Sequence, residues 1–280
     1  MNRREFLKSL TLGIIACGIT QETIAQTLVT SPASLSLTSD NYLRDYLHKM
    51  DHFNEPHKDD IKIDSVTYNV LESTVMRLRR LQRIVGHGNF HLLSFSGGIR
   101  IARKYSKVGE FTKAEISLME MIFYEDGQHY GFLGQKPLKK ITDRINRNDV
   151  VNVARSGNYL YKGAPLETYL KIKQQLGEQV VLTSGVRGIM KQFLLFLEKA
   201  YKKNGNLSLA SRSLAPPGYS FHSNGDFDVG QVGFGALNYT NRFTTTEVYK
   251  RLSDKGYLKL RYKQDNHMGV RFEPWHIKIT

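Results

Sequence analysis

Cysteine is nearly absent from this sequence, which limits both disulfide formation and thiol catalysis. The 280 residues contain one cysteine, Cys17, close to the N-terminus. A chain with one cysteine cannot form an internal disulfide framework. If residues 1–25 are removed on export, as argued below, the mature protein also has no thiol nucleophile. Its fold must then rest on the packing of its core.

Motifs for covalent serine catalysis and for phosphate binding are missing as well. The sequence contains no Ser-x-x-Lys, Lys-Thr-Gly or Gly-x-Ser-x-Gly, each of which would present an activated serine. It also contains no P-loop and no Gly-x-Gly-x-x-Gly. We therefore expect neither serine nor cysteine nucleophilic catalysis.

Positive charge is abundant but is not concentrated in one place. Lys and Arg number 40 against 26 Asp and Glu, which gives a formal net charge of +14. The basic residues are spread along the chain, with no zinc-finger spacing and no RNP-type aromatic motif, so we predict no nucleic-acid partner. A basic surface suits other anionic surroundings equally well. Arg77, Arg79, Arg80 and Arg83 are expected to form a solvated basic face on a helix.

The first 25 residues have the order of features that is typical of an export signal. A basic head, MNRREFLK, precedes the apolar stretch SLTLGIIACGIT, which is too short to span a bilayer comfortably. The Arg3–Arg4 pair and the residues after it match the twin-arginine pattern. We predict a twin-arginine signal over residues 1–25 and export to the periplasm or the cell envelope.

Two processing patterns overlap in this segment. Residues 14–17, IIAC, resemble a lipobox, in which Cys17 would carry a lipid anchor. Residues 23–25, TIA, suit cleavage to a soluble protein instead. Both alternatives stay open, and the oligomeric state is not indicated.

Local patterns divide the following residues into a linker and a helical region. Residues 26–40 are rich in Ser and Thr and are predicted to be a linker. Residues 41–177 are predicted to be mainly helical, because apolar residues recur there with helical spacing. Helix ends are marked by the patterns Asp64–Gly86, Thr112–Glu115 and Pro165–Gly177.

From residue 178 onwards, strand and helix patterns alternate. The predicted elements are a strand at Gln179–Thr183, a helix ending near Gly205, a helix that is capped by Thr244–Glu247 and stops at Gly256, and strand-like segments at Tyr257–Tyr262 and Gly269–Ile279. We therefore predict an α+β fold, in which a helical N-terminal half precedes a small α+β domain, residues 178–280, with a mainly antiparallel sheet.

One loop combines turn-forming residues with ionisable groups: residues 216–230, PPGYSFHSNGDFDVG. A catalytic zinc ion takes three ligands of the His or carboxylate type and keeps one position open for water. His222, with Asp226 or Asp228, can supply two of these ligands from this loop. A calcium loop is excluded, because the EF-hand pattern lacks its glycine and its terminal glutamate here.

The segment Glu273-Pro274-Trp275-His276 brings a carboxylate and an imidazole close together in sequence. A carboxylate beside a zinc-bound water can take its proton. In a regular strand Glu273 and His276 would face opposite sides of the sheet. Pro274 cannot donate to a strand ladder and often marks a bulge or an edge, so we expect it to turn both side chains inward.

Three motifs occur in the order Ser184–Arg187 (SGVR), Pro217–Gly225 (PGYSFHSNG) and Glu273–His276 (EPWH). In this order they resemble the zinc D-alanyl-D-alanine carboxypeptidases of the VanY type, which are relatives of the LD-carboxypeptidases and other LAS-group peptidoglycan peptidases. The resemblance covers about residues 178–280. The family's aspartate lies seven residues after the histidine, at the position that Val229 occupies here.

The resemblance implies a zinc site and a general base. His222 and His276 would bind Zn²⁺ together with an aspartate, for which we favour Asp228, six residues after His222, over Asp226 at four. Glu273 would activate water and later pass a proton to the leaving amine.

The resemblance also implies residues for substrate binding. Arg187 would hold the free carboxylate of the substrate, a task that suits a planar guanidinium group. Ser220 and Gln192 would line the substrate groove. The function implied is an exported zinc metallopeptidase that hydrolyses the C-terminal D-alanyl bond of peptidoglycan stem peptides. The alternative is a non-catalytic cell-wall-binding protein with the same fold.

Overall fold

The computed structural model describes residues 39–279 of the chain. Two compact units are distinguished, Met1–Tyr42 and Leu43–Thr280, and the features below belong to the second apart from the start of one helix. The predicted export signal, the two processing patterns and most of the predicted linker lie outside the described residues. Among the helices that the structure describes, none combines the length and apolar character needed to cross a bilayer.

Within the described residues, the stretch before residue 125 is built from helices. These are α1 (Ser39–Asp51), α2 (Ser65–Val85), α3 (His87–Phe90), α4 (Phe95–Lys104) and α5 (Lys113–Tyr124). The Asp64 side chain accepts hydrogen bonds from the backbone at the start of α2, and Thr112 with Glu115 forms a capping box on α5. Such caps satisfy N–H groups that have no acceptor within the helix. The cap patterns therefore predicted these two helix starts correctly.

A β-hairpin follows that the sequence analysis missed. Strands β1 (Val150–Val153) and β2 (Asn158–Tyr161) pair antiparallel. Arg155 and Gly157 in the connecting turn have positive φ angles of 62° and 68°. Apolar residues on both sides of a Ser-Gly turn are a hairpin pattern, but strands of four residues are too short to stand out against the helical periodicity around them.

The remaining elements alternate between helices and short strands. They are α6 (Ala164–Leu176), β3 (Val180–Ser184), α7 (Ile189–Lys202), α8 (Leu207–Ser211), β4 (Phe227–Gln231), α9 (Glu247–Asp254) and β5 (His276–Ile277). Strands β3, β4 and β5 form an antiparallel sheet with β4 in the centre. The predicted α+β class with a mainly antiparallel sheet is confirmed.

The strand predictions for residues 257–262 and 269–279 are wrong over most of their length. Leu260 forms an isolated bridge with Ile277, and only His276–Ile277 is a strand. Gly269 has a φ of 73°, outside the range of extended strands, and Pro274 has no N–H for a ladder. The apolar pattern in these segments reflects packing of loops rather than pairing of strands.

The main hydrophobic core joins helices from both halves of the chain. Leu71 and Leu78 of α2, Met119 of α5, and Phe193 and Leu197 of α7 are all buried in one cluster. Burying each such side chain stabilises the fold by about 1.5–3 kcal/mol. Helix α7, which follows the first motif of the C-terminal half, is thus held in place by the N-terminal helices.

The prediction of a solvated basic face on α2 is wrong for three of its four arginines. Arg77 pairs with a glutamate of α5 at 2.8 Å, and Arg79 pairs with a glutamate of α7 at 2.6 Å. Arg80 donates to a backbone carbonyl, and Arg83 alone of the four is exposed. Because α2 packs against both α5 and α7, less of its surface faces water than a single apolar stripe suggests.

Candidate active site

Asp228 is placed by the alternation of side chains along β4. Its neighbours Phe227 and Val229 are fully buried in the hydrophobic cluster that covers one face of the sheet. Successive side chains of a strand point to opposite faces, so the burial of these two turns Asp228 to the other face. Asp228 is also buried there, with 1% exposure, which requires partners for its carboxylate.

His276 is placed in the same way on β5. Trp275 and Ile277 belong to the same hydrophobic cluster as the apolar residues of β4. His276 therefore points to the opposite face, and it is the cross-strand partner of Asp228 in the antiparallel register. The pairing of β4 with β5 brings a carboxylate and an imidazole together although 48 residues separate them in sequence.

His222 lies in the 3-10 turn Phe221–Ser223, before β4. Its Nδ1 donates to the carbonyl of Gly185 at 2.8 Å. Gly185 is required at this position, because a Cβ atom would lie 2.0 Å from the carbonyl oxygen of Tyr159. Gly225, with a φ of 115°, lets the chain turn from the histidine into β4.

The three side chains offer ligand atoms to one shared point. Nε2 of His222 and Nδ1 of His276 each lie 3.3 Å from Oδ1 of Asp228, and the ligand atoms of the three residues lie within 4.8 Å of one another. Within the described residues, His222 Nε2 and Asp228 Oδ1 are buried without a hydrogen-bond partner. Such atoms destabilise the protein unless a ligand satisfies them. Two imidazoles and a carboxylate are a donor set of catalytic zinc, so the residues fit the metal.

Asp226 lies behind this cluster and does not join it. Its Oδ2 accepts a hydrogen bond from Nε2 of His276 at 2.9 Å, and its two oxygens also accept from Arg261 and from the backbone N–H of Ile279. A carboxylate that holds one nitrogen of a histidine fixes the ring and leaves the other nitrogen for a metal. Of the two aspartates that the sequence offered, the geometry places Asp228 in the cluster and Asp226 behind it.

The charges around the cluster favour a cation at its centre. Burial and the guanidinium of Arg187 lower the pKa of His222, so its imidazole is neutral and has a lone pair to offer. Although burial opposes ionisation, the guanidinium of Arg187 holds the pKa of Asp228 well below its usual range. Burial also disfavours a charged His276, but three neighbouring carboxylates raise the pKa of His276 well above its usual value.

Glu273 reaches the cluster through a tight turn rather than a strand bulge. The backbone N–H of His276 donates to the carbonyl of Glu273 at 3.2 Å and closes a turn over Pro274 and Trp275. Oε2 of Glu273 then lies 3.5 Å from Nδ1 of His276. The Glu273 side chain keeps 11% exposure, so it stands at the edge of the cluster that water can reach.

Arg187 connects the first motif to Asp228. Its Nε donates to Oγ of Ser184 at 2.8 Å, and its Nη2 donates to Oδ2 of Asp228 at 2.5 Å. The strand register shifts between Leu182 and Ser184, and this irregularity sets Ser184 opposite Asp228. Two nitrogens of Arg187 are therefore used by the protein itself, and its role in holding a substrate carboxylate stays a prediction.

Gln192 and Ser220 are both buried beside the loop that carries His222. The amide of Gln192 donates to the carbonyl of Arg187 and accepts from the N–H of Gly218, each at 2.8 Å. Gln192 thus ties the first motif to the second. Ser220 is 7% exposed. Their predicted contact with substrate stays a prediction.

His91, at the end of α3, also lies close to the cluster and was not foreseen. Its backbone carbonyl accepts from the N–H of Gly188 at 2.7 Å, and its side chain is buried. Burial, with Lys191 and Arg187 nearby, lowers the pKa of His91 to about 3. No motif surrounds this histidine in the sequence, so only the packing of α3 against the first motif reveals it.

Several chains of solved structure are similar to this one, including the following three. The LdcB LD-carboxypeptidase, whose structure reveals the molecular basis of peptidoglycan recognition, is 21% identical with a TM-score of 0.39, over 48% of this chain and 69% of its own. The vancomycin resistance D,D-pentapeptidase VanY in complex with Zn(II) is 24% identical with a TM-score of 0.38, over 52% and 85%. VanYB in complex with D-alanine-D-alanine is 23% identical with a TM-score of 0.39, over 52% and 83%. No curated protein matches the chain.

The comparison with protein families covers the part of the chain that carries the cluster. Residues 164–279 match the family described as VanY, D-alanyl-D-alanine carboxypeptidase. This range begins with α6 and contains the three motifs on which the resemblance was based. The resemblance is therefore confirmed: residues 164–279 of this chain match the VanY D-alanyl-D-alanine carboxypeptidase family.

Proposed function

We propose that the chain is a zinc-dependent carboxypeptidase that removes the C-terminal D-alanine of peptidoglycan stem peptides. The observation that carries the proposal is the convergence of His222, Asp228 and His276 beside Glu273. The match of residues 164–279 to the VanY family supports the substrate class.

The side chains of the cluster divide the chemistry among them. His222, Asp228 and His276 would hold Zn²⁺, which supplies Lewis-acid polarisation of the scissile carbonyl and acidifies water when it is bound. Glu273 takes a proton from the attacking water and returns it to the leaving amine. Arg187 keeps Asp228 ionised and adds positive charge where the carbonyl oxygen becomes negative.

The proposal includes export to the cell envelope. Stem peptides lie outside the cytoplasmic membrane, and the twin-arginine pattern of residues 1–25 would bring the protein to them. Cell fractionation with mass spectrometry of the N-terminus tests this step. A lipid on Cys17 would identify the anchored form, cleavage after residue 25 the soluble form, and an intact cytoplasmic chain would contradict export.

Activity is tested with the zinc-loaded protein and a model pentapeptide that ends in D-alanyl-D-alanine. We expect release of D-alanine, and we expect Glu273→Gln to lose turnover by about 10²- to 10⁴-fold while it retains zinc, because the general base alone is removed. Glu247→Gln, at an exposed glutamate of α9, is the matched control and should behave as the wild type.

Two outcomes would contradict the proposal in different ways. Wild-type turnover by Glu273→Gln would remove Glu273 from the chemistry. A wild-type protein that binds purified peptidoglycan, takes up no zinc and releases no D-alanine would support the non-catalytic cell-wall-binding alternative. A mass-spectrometric digest of peptidoglycan would then assign D,D or L,D specificity, and carboxypeptidase or endopeptidase action, if turnover is found.

A further inference from the structure

Arg271, two residues before Glu273, is held between two aromatic rings. The carbon at the centre of its guanidinium lies 5.0 Å from the ring centre of Phe53 and 4.8 Å from that of Trp275. Its Nη2 donates to the carbonyl of Tyr239 at 3.0 Å. Cation–π attraction to the two rings helps to hold the guanidinium in place.

The guanidinium of Arg271 has more donors than acceptors around it. Its Nε is buried and has no hydrogen-bond partner in the described part of the chain. By contrast, Arg187, Arg212 and Arg261 each pair with an aspartate. A guanidinium carries five N–H donors, and donors that stay buried without an acceptor destabilise a protein. An acceptor from outside the chain would resolve this deficit.

The burial of this cationic group favours an anion as the acceptor. Burial lowers the pKa of Arg271, and the charges of Glu273 and Asp228 oppose that effect from the candidate zinc site. Burial and neighbouring cations, Arg271 among them, also lower the pKa of Lys199 to about 8. The guanidinium of Arg271 is thus a cation withdrawn from water, and a ligand carboxylate would compensate for its lost hydration.

Arg271 and Phe272 line a cavity of about 240 Å³, so a ligand has room beside the guanidinium. This volume lies below the range of roughly 300–1,000 Å³ that drug-sized ligands occupy, and it suits a single amino-acid residue. Asp51 and Asp265 also line the cavity, but both are exposed and neither is among the charges that act on Arg271.

We propose that Arg271 binds the C-terminal carboxylate of the substrate, with the terminal residue in this cavity. The inference rests on the proposed function and deepens it, because it assigns the residue that selects substrates with a free C-terminus. Arg271 contacts the ring of Trp275, the neighbour of His276 in sequence, so its guanidinium lies close to the candidate zinc site. Arg187, the residue that the motif resemblance offers for this task, already uses Nε and Nη2 on Ser184 and Asp228.

The test compares two pentapeptides that differ only at the end: one with a free C-terminal carboxylate and one with a C-terminal amide. The wild type should prefer the acid in kcat/KM. Arg271→Met keeps an apolar stem between the rings and removes the charge, so kcat/KM for the acid should fall by about 10- to 100-fold while that for the amide changes little. Arg271→Lys should restore part of the preference.

Two further measurements distinguish substrate binding by Arg271 from a purely structural role: the zinc content of the Arg271 variant and the behaviour of a variant at Arg187. Arg271→Met should bind zinc as the wild type does, because Arg271 has no contact with the three ligands. Arg187→Met should bind zinc more weakly and lose turnover on both peptides, because Arg187 orients Asp228. Arg242→Ala, at an exposed arginine, is the control and should resemble the wild type in every measurement.

A direct binding measurement keeps the inference testable without turnover. Trp275 is the only tryptophan and lies against Arg271, so its fluorescence should report acid-peptide binding, and Arg271→Met should weaken that binding by about 10- to 100-fold. An unchanged acid preference and unchanged binding in Arg271→Met would overturn the inference, as would loss of the preference in Arg187→Met alone. Failure of the wild type to hydrolyse either peptide would overturn the proposed function instead, and the fluorescence titration would still decide whether Arg271 binds a carboxylate.

Discussion

Asp228 and His276 are cross-strand partners, and Oδ1 of Asp228 lies 3.3 Å from Nδ1 of His276. On both strands the residues before and after this pair are buried in one hydrophobic cluster. The apolar side chains therefore orient the polar ones, and a change of register by one residue would turn both polar side chains into the core. The candidate zinc site thus depends on the same packing that stabilises the sheet.

Removal of a proposed zinc ligand should abolish tight metal binding. We expect His276→Ala to lower zinc affinity by more than the roughly 10- to 100-fold that is typical for loss of a residue behind the ligands. Zinc per chain after dialysis, measured by elemental analysis, checks the expectation. His129→Ala, at an exposed histidine, is the control, and equal zinc content in the two variants would exclude His276 as a ligand.

Asp226→Asn should weaken the site without removing a ligand. Asp226 orients His276 and pairs with Arg261, so we expect zinc affinity to fall by about 10- to 100-fold. Breaking a buried ion pair should also lower the free energy of unfolding by about 3–5 kcal/mol. Zinc titration and denaturant unfolding measure the two effects. Asp265→Asn is the exposed control, and wild-type affinity in Asp226→Asn would mean that His276 is oriented by other contacts.

His91 should make the fold sensitive to acid. Burial lowers its pKa from 6.5 to about 3, so below pH 6.5 the unfolded chain binds a proton that the folded chain does not. The free energy of unfolding should therefore fall as the pH drops through this window, by on the order of 1 kcal/mol per pH unit. His91→Gln, which cannot titrate, should lose less stability than the wild type between pH 6.5 and pH 5. Denaturant unfolding gives the free energy of unfolding at each pH, and an equal dependence on pH in His91→Gln and the wild type would contradict this account. His129→Gln is the control and should keep the pH dependence of the wild type.

Gly185→Ala should disturb both the fold and the site. The added Cβ would lie 2.0 Å from the backbone oxygen of Tyr159, and the carbonyl of Gly185 is the acceptor that orients His222. We expect a loss of about 1–3 kcal/mol in the free energy of unfolding, together with weaker zinc binding. In Gly88→Ala the nearest atom would be 3.4 Å away, so this control should be close to neutral. Wild-type stability in Gly185→Ala would show that the backbone there moves freely.

The sequence predicted the fold class and the order of the motifs because these depend on local patterns. Asp64 and Thr112 identified helix starts through their caps, since a cap is a contact between residues close in sequence. The apolar pattern of residues 257–262 did not predict its structure, because a strand also needs a pairing partner. That partner is set by long-range packing, which the spacing of apolar residues does not contain.

The same distinction applies to the candidate site. His222 and the EPWH segment could be found because family motifs are local in sequence. The sequence also favoured Asp228 over Asp226, although both aspartates lie within reach of the histidine. The structure separates these aspartates through the partners of each carboxylate. Arg271 belongs to no motif that was considered, and only its missing acceptors and the cavity beside it point to a role.

The packing of helix α7 against the N-terminal helices limits which fragments of the chain can be expressed alone. A gene fragment that encodes only residues 164–279, the stretch matched to the family, would expose Met190, Phe193 and Leu197 of α7 to water, because α2 and α5 would be missing. We expect that fragment to aggregate during expression and residues 43–280 to be recovered in soluble form. Catalytic activity would then require the whole second unit, because the family-matched stretch folds only when the N-terminal helices pack against α7.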